Sequence, residues 1–162
     1  MAWELLGSTK LTVAAATLTV TGFEVRQNLI AQIHLIAQNS IGTRLRVNAD
    51  SSALYSYRGS SNGASDFTGA SQTELANMDT SYTGETEFHV IYIENVQDEE
   101  KLFICSGVGS NASGVGVAPK RRELAGKYAD NTNSITEIDV VDYYAGSNFA
   151  AGSEMTVFGS GE

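Results

Sequence analysis

The sequence predicts an all-β chain, an antiparallel β-sandwich of jelly-roll (Greek-key) type with about 8–10 strands. Three observations predict it. Apolar and polar residues alternate with a period of two along much of the chain, as in strands that bury one face. Gly is frequent at 16 and Pro nearly absent at 1, with abundant Ser, Thr and Asn, a balance that joins short strands by tight turns. No segment combines a helical period with a strong capping residue.

In chain order, "AWELLG" supplies a first strand through Trp3, Leu5 and Leu6. "KLTVAAATLTVTG" follows, with Leu11, Val13, Leu18 and Val20 interrupted by small Ala residues. "NLIAQIHLIAQN" fits two templates. A helix would align Leu29, Ile33 and Ile36; a strand places Leu29, Ala31, Ile33, Leu35 and Ala37 inside, with Gln32, His34 and Gln38 outside. Strand-like neighbours on both sides and the missing cap select the strand.

"TRLRVNA" and "ALYSYRG" read as a hairpin joined at "NADSS", where Asn48 and Asp50 can bond their own backbone. Residues 59–84 and 106–120, rich in Ser, Gly and Asn, read as long surface loops. "GETEFHVIYIENV" is the clearest strand, with Phe88, Val90 and Tyr92 alternating against His89, Ile91 and Ile93. Both its faces are apolar, so it is expected to be central and covered on each side. An acidic turn at Asp98, Glu99 and Glu100 leads to "EKLFICSG" as a hairpin, then come "RRELAGKYA", "SITEIDVVDYY" and a closing strand over 153–158. Before that last strand Phe149 stands alone between Gly-Ser pairs, an aromatic plug dropped from a loop into the core, with Gly146 and Gly152 permitting the reversals. No repeat period is present, which argues against a propeller or solenoid. Residues 1–162 read as a single domain.

The charge, 19 acids against 10 bases and a formal −9, points away from nucleic acid, whose affinity comes mainly from Lys and Arg on phosphates. The one basic cluster is Lys120, Arg121 and Arg122, a solvated turn or strand edge, or a patch that docks on an acidic protein surface. No apolar run approaches the ~18 residues of a membrane span. The start "MAWELLGSTK" lacks the pattern of a secretory signal, so a soluble protein with no membrane partner is expected. Cys105 is the only cysteine and forms no internal disulfide.

The search for chemistry nominates no catalytic, cofactor-binding or metal residue, and no enzyme is expected. "GVGSNASG" has neither phosphate-loop spacing nor a helix after it. His34 and His89 could meet across a sheet, yet they lack a matching carboxylate spacing for a metal. Cys105 has no flanking cation and reads as a small buried hydrophobe. Asp98, Glu99, Glu100, Asp139 and Asp142 are not paired by any motif of glycoside hydrolysis. Asn48 with Asp50 reads as a turn in preference to a Ca²⁺ site, which needs six or more oxygens.

Three blocks carry a family resemblance: "AWELLGSTKLT", "LRVNADSSALYSY" and "ITEIDVVDYYAGSNFAAGSEMTVFG". Together they resemble small jelly-roll structural proteins of tailed bacteriophages. Trp3, Leu5 and Leu6 are similar to that group's opening; Arg46, Val47, Asn48, Asp50, Tyr55 and Tyr57 to its turn and Tyr-x-Tyr; Phe149, Gly152, Ser153, Phe158 and Gly159 to its ending. The chain departs from the pattern in continuing past Gly159 into polar "SGE". The resemblance implies a virion component: a capsid decoration (cement) or head-fibre protein, or else a tail, baseplate or fibre component in receptor attachment. It also implies other virion proteins as partners, the major capsid protein or tail components.

A homo-oligomer, a trimer, is expected because sandwich edges invite pairing. The expected contacts are Trp3 and the Lys120, Arg121 and Arg122 cluster, set against a neighbour's acidic turn at Asp98 to Glu100. A carbohydrate-binding module is the reading from another class, with Tyr55, Tyr57, Tyr82 and Tyr92 as sugar platforms.

Overall fold

The structure, a computed structural model, describes residues 2–112 and 114–161. Among them are twelve strands and no helix. The first six are β1 (Glu4–Lys10), β2 (Thr17–Thr21), β3 (Asn28–Ile36), β4 (Ile41–Val47), β5 (Tyr55–Ser61) and β6 (Phe67–Gln72). The others are β7 (Leu75–Ser81), β8 (Thr86–Glu94), β9 (Lys101–Gly109), β10 (Lys120–Tyr128), β11 (Glu137–Asp142) and β12 (Glu154–Ser160).

They form an eight-stranded sheet, ordered β1-β12-β3-β8-β9-β10-β5-β6, and a four-stranded sheet, ordered β2-β11-β4-β7. Every pairing is antiparallel. Four pairs are nested in sequence, β1 with β12, β2 with β11, β3 with β8 and β4 with β7, and they alternate between the sheets. Two hairpins, β5-β6 and β9-β10, extend the large sheet beyond β8.

Alternation decides which side of each strand is buried. In β3 Leu29, Ala31, Ile33 and Leu35 face the core, and in β9 Lys101, Phe103 and Cys105 do. Leu18, Leu45, Ile138 and Val140 meet them from the small sheet. Each fully buried aliphatic side chain contributes ~1.5–3 kcal/mol relative to exposure, and this shared layer holds the sheets together. Phe149 closes one end. It is fully buried, and its backbone exchanges hydrogen bonds of 2.9 and 3.0 Å with Ala15. The plug expected from the sequence is therefore a two-sided bridge, since Phe149 also pairs with Ala37.

Several expectations need correction. Residues 59–84 are no single loop: they contain the end of β5 and all of β6 and β7. β6 is an edge strand that pairs only with β5, so its small polar residues carry no apolar alternation. In β7 a register irregularity against β4 places Leu75 and Met78 in the core three residues apart, which hides the period of two. The loop expected over 106–120 shrinks to 110–119, because β9 runs on to Gly109 and β10 begins at Lys120. β4 and β5 are no hairpin, since they lie in different sheets. "NADSS" is instead a crossover, turned by Asn48 and Ala49 at φ 52° and pinned by the Tyr55 hydroxyl, which donates to Asp50 O at 3.0 Å. β8 is central in its sheet but is covered on one face only.

Candidate functional site

The uncovered face of β8 opens the site. His89, Ile91 and Ile93 point to the core, so Phe88, Val90 and Tyr92 point outward by the same alternation. Antiparallel register then aligns one row across the large sheet: Phe158 beside Ile30, Ile30 beside Tyr92, Tyr92 beside Ile104, Ile104 beside Ala125, and Ala125 beside Arg58. Around it Phe88 is 44% exposed, Tyr92 51%, Leu102 48% and Ile104 65%. Trp3, just before β1, joins Tyr92, Leu102 and Ile104 along an apolar groove of about 470 Å³. Isolated exposed hydrophobics are ordinary, but a contiguous patch marks a contact surface.

Charge sharpens the picture. Alternation, register and ion pairing put Glu94, Glu100, Glu123, Glu154 and Asp66 on this face, against Lys10, Arg58, Arg121 and Lys127, so it is close to balance in a chain of net −9. Its charges are held in exposed pairs, such as Lys127 with Glu100 at 2.9 Å and Lys10 with Glu154 at 3.0 Å. Such pairs contribute little to stability.

The outer face of the small sheet differs. Its β2 side presents Thr17, Thr19 and Thr21, with Thr19 donating to Asp139 and Thr21 to Glu137. Glu74 bridges Arg44 and Arg46, and the Arg44 guanidinium lies 3.3 Å from the centre of the Tyr143 ring. Burial acts to raise the Glu74 carboxyl, but hydrogen bonds from Arg44 and Arg46 prevail and hold it below its ordinary value. Burial raises Asp139, only partly offset by the Thr19 hydrogen bond.

Polar chemistry also lies inside. Glu87 and His89 are two apart on β8 and both face the core. Glu87 Oε2 meets His89 Nε2 at 2.9 Å and accepts from Thr43 Oγ1 at 2.7 Å. Burial acts to raise the Glu87 carboxyl, yet the His89 and Thr43 bonds leave it lowered. Gly107 faces His89, and any Cβ there would strike the imidazole. This pair is sealed from solvent, which leaves substrate no way to reach it; the carboxylate is held through Oε2 alone, and its Oε1 has no hydrogen-bond partner. His34 and His89 do not meet: His34 pairs with Phe88 and faces the opposite side of the sheet. Among the described residues no group of three or more His, Cys, Asp or Glu could hold a metal. Burial pushes the Cys105 thiol up to about 12, so it stays protonated and inert.

Asn48 and Asp50 act as turn residues. Asp50 Oδ1 accepts from Ser52 N at 2.7 Å, its Oδ2 accepts from the Tyr128 hydroxyl, and Asn48 bonds Ser134 and Thr136. The four tyrosines considered as sugar platforms do not converge. Tyr55 is buried and packs on Tyr128, Tyr57 meets Phe67, and Tyr82 lies near Lys120. Only Tyr92 belongs to the apolar face.

Of the expected contact residues, Trp3 and Arg121 reach the outer face of the large sheet. The cluster itself divides, because it lies in a strand. Arg121 points outward beside Glu123 at 3.9 Å, while Lys120 and Arg122 point to the other side. There Lys120 pairs with Glu85 at 2.8 Å and Arg122 sits 5.5 Å from the Phe67 ring centre. The Lys101 ammonium, which the sequence did not single out, is buried and caps the β8–β9 turn by donating to Val96 O at 2.8 Å. The signal missed in sequence was Glu87-x-His89, two polar residues on one face of a strand. No protein-family model matches the chain, and no curated protein matches it.

Proposed function

We propose that this chain is a non-enzymatic assembly module, a virion structural protein of the capsid decoration (cement) or head-fibre type. One observation carries the assembly part: the apolar row Ile30, Tyr92 and Ile104 on an uncovered sheet face of nearly balanced charge. A protein that worked alone in water gains nothing from leaving such a row exposed. The virion part rests on the three sequence blocks of the phage resemblance. Jelly-roll winding is part of the same proposal, supported by the nested pairs β1·β12, β2·β11, β3·β8 and β4·β7 that alternate between sheets. On this reading the partners are other virion proteins, the major capsid protein foremost, and the location is the particle. Neither a cofactor nor nucleic acid takes part.

Gradient-purified particles of the virus that encodes the chain test the reading. The chain should band with the particles and be released as an intact, folded domain. Its absence from purified particles overturns the virion assignment.

A further inference from the structure

The same face is suited to a particular occupant. We infer that the outer face of the large sheet pairs with the same face of a second copy of this chain, around a two-fold axis running along β8. The inference rests on reading that face as a contact surface and adds what covers it.

Register makes the face self-complementary. A two-fold axis along β8 maps the β3 side of one copy onto the β9 side of the other. Tyr92 then meets its own counterpart, as does Phe88, and Ile30 meets Ile104. One row carries Glu154 beside His34 at the β12 side and Arg121 beside Val108 at the β10 side, so the same axis sets Glu154 against the second copy's Arg121. The apolar centre therefore meets its equivalent and Glu154 meets Arg121, while at the end of β8 the two Glu94 carboxylates face each other, an acid pair that these contacts must outweigh. Aligned sheet packing, with strand directions within about 30° of each other, keeps residues near the axis in these pairs. Both charges have only exposed partners within their own chain, Lys10 and Glu123, so they are available to re-pair.

Size and net charge agree. Aromatic and large aliphatic side chains about half exposed offer on the order of 100 Å² each, given ~150–250 Å² for a whole aromatic. The patch then comes to roughly 500 Å², and a polar rim brings it toward the ~800 Å² per partner of a stable complex. Two copies at −9 each repel at a distance, but this face with its ion-pair partners holds five acids against four bases, so close approach here meets much less of that repulsion.

Light scattering after size exclusion, run over a concentration series at low salt, tests the inference. The wild type should elute at twice the chain mass, and Ile104→Asp should be monomeric with an unchanged circular dichroism spectrum. Arg121→Glu should weaken association at least tenfold, and Arg121→Glu combined with Glu154→Arg should restore it, with both effects shrinking at high salt. If Ile104→Asp fails to fold, Tyr92→Ser serves in its place, because that ring is already 51% exposed. A wild type that stays monomeric, a trimer, or a dimer indifferent to the outer-face changes overturns the inference; so does a charge swap that does not restore pairing. Particle binding reads separately. A monomer that loses particle binding through Ile104→Asp overturns the second copy and leaves the virion reading standing. A dimer that never associates with particles does the reverse.

Discussion

On the outer face of the small sheet, Thr19 and Thr21 reach acidic neighbours, Glu74 joins two arginines and Tyr143 lies on one of them. On the outer face of the large sheet, Ile30, Tyr92 and Ile104 stand in register among nearly balanced charges, with Tyr92 and Ile104 at least half exposed. Both faces back onto the same core, and both are built from strands of one alternating pattern. The difference is that one face is made mainly of polar groups paired with one another, while the other carries an apolar row that nothing in the chain covers. Thr and paired charges keep a sheet face wet and stable as it is. An apolar row gains free energy only when something else removes it from water.

Changes of decreasing effect sharpen this contrast. The largest belongs to the layer beneath both faces: Leu45→Ala, at a fully buried position, should cost ~2–5 kcal/mol in urea unfolding. A cost as small as that of an outer-face change would mean that the two sheets do not share one core. Next, Glu74→Gln removes the anion between Arg44 and Arg46 and should cost about 1–3 kcal/mol by the same measurement. A neutral result would make the small sheet's outer face decorative, and the contrast would fail on that side.

Acid should also weaken the small sheet's outer face. The Glu74 carboxyl is held below its ordinary 4.5, so the folded chain stays ionised where the unfolded chain takes up a proton. Its contribution is fully present above about pH 4.5 and is lost as pH falls through the lower folded value. Glu74→Gln should therefore flatten the loss of urea midpoint below that pH, while Ile104→Thr leaves it unchanged. The smallest expected effect is Ile104→Thr on the monomer itself, within about 0.5 kcal/mol when measured at dilution. A larger cost would mean that Ile104 is already covered by its own chain.

Much of the fold was legible because alternation records burial directly. β3 was resolved from helix to strand by Leu29, Ala31, Ile33 and Leu35, all of which are buried, and Phe149 declared itself by being the one aromatic in a Gly-rich reversal. What stayed hidden has physical causes. β6 buries too little to alternate, and β7 is irregular against β4, so both passed as loop. The step from β4 to β5 looked like a hairpin because turn chemistry at Asn48 and Asp50 is the same whether the chain returns to its own sheet or crosses to the other. The site was half legible. Two apolar faces on β8 were visible in sequence, but whether the second is covered depends on a third layer packing outside the sheet, and the described residues form two sheets only. The basic cluster looked like one patch until a strand placed Arg121 on one face and its neighbours on the other.

Hydroxyl-radical footprinting of the oligomer against the Ile104→Asp variant tests the claim most directly, because it reads both faces in one sample. Phe88 and Tyr92 should be protected in the wild type and reactive in the variant, while Tyr143 and Tyr144, exposed beside the small sheet, should label equally in both. Equal labelling of Tyr92 in the two samples, or protection at Tyr143 and Tyr144 instead, would contradict the assignment of the large sheet's outer face as the one that binds.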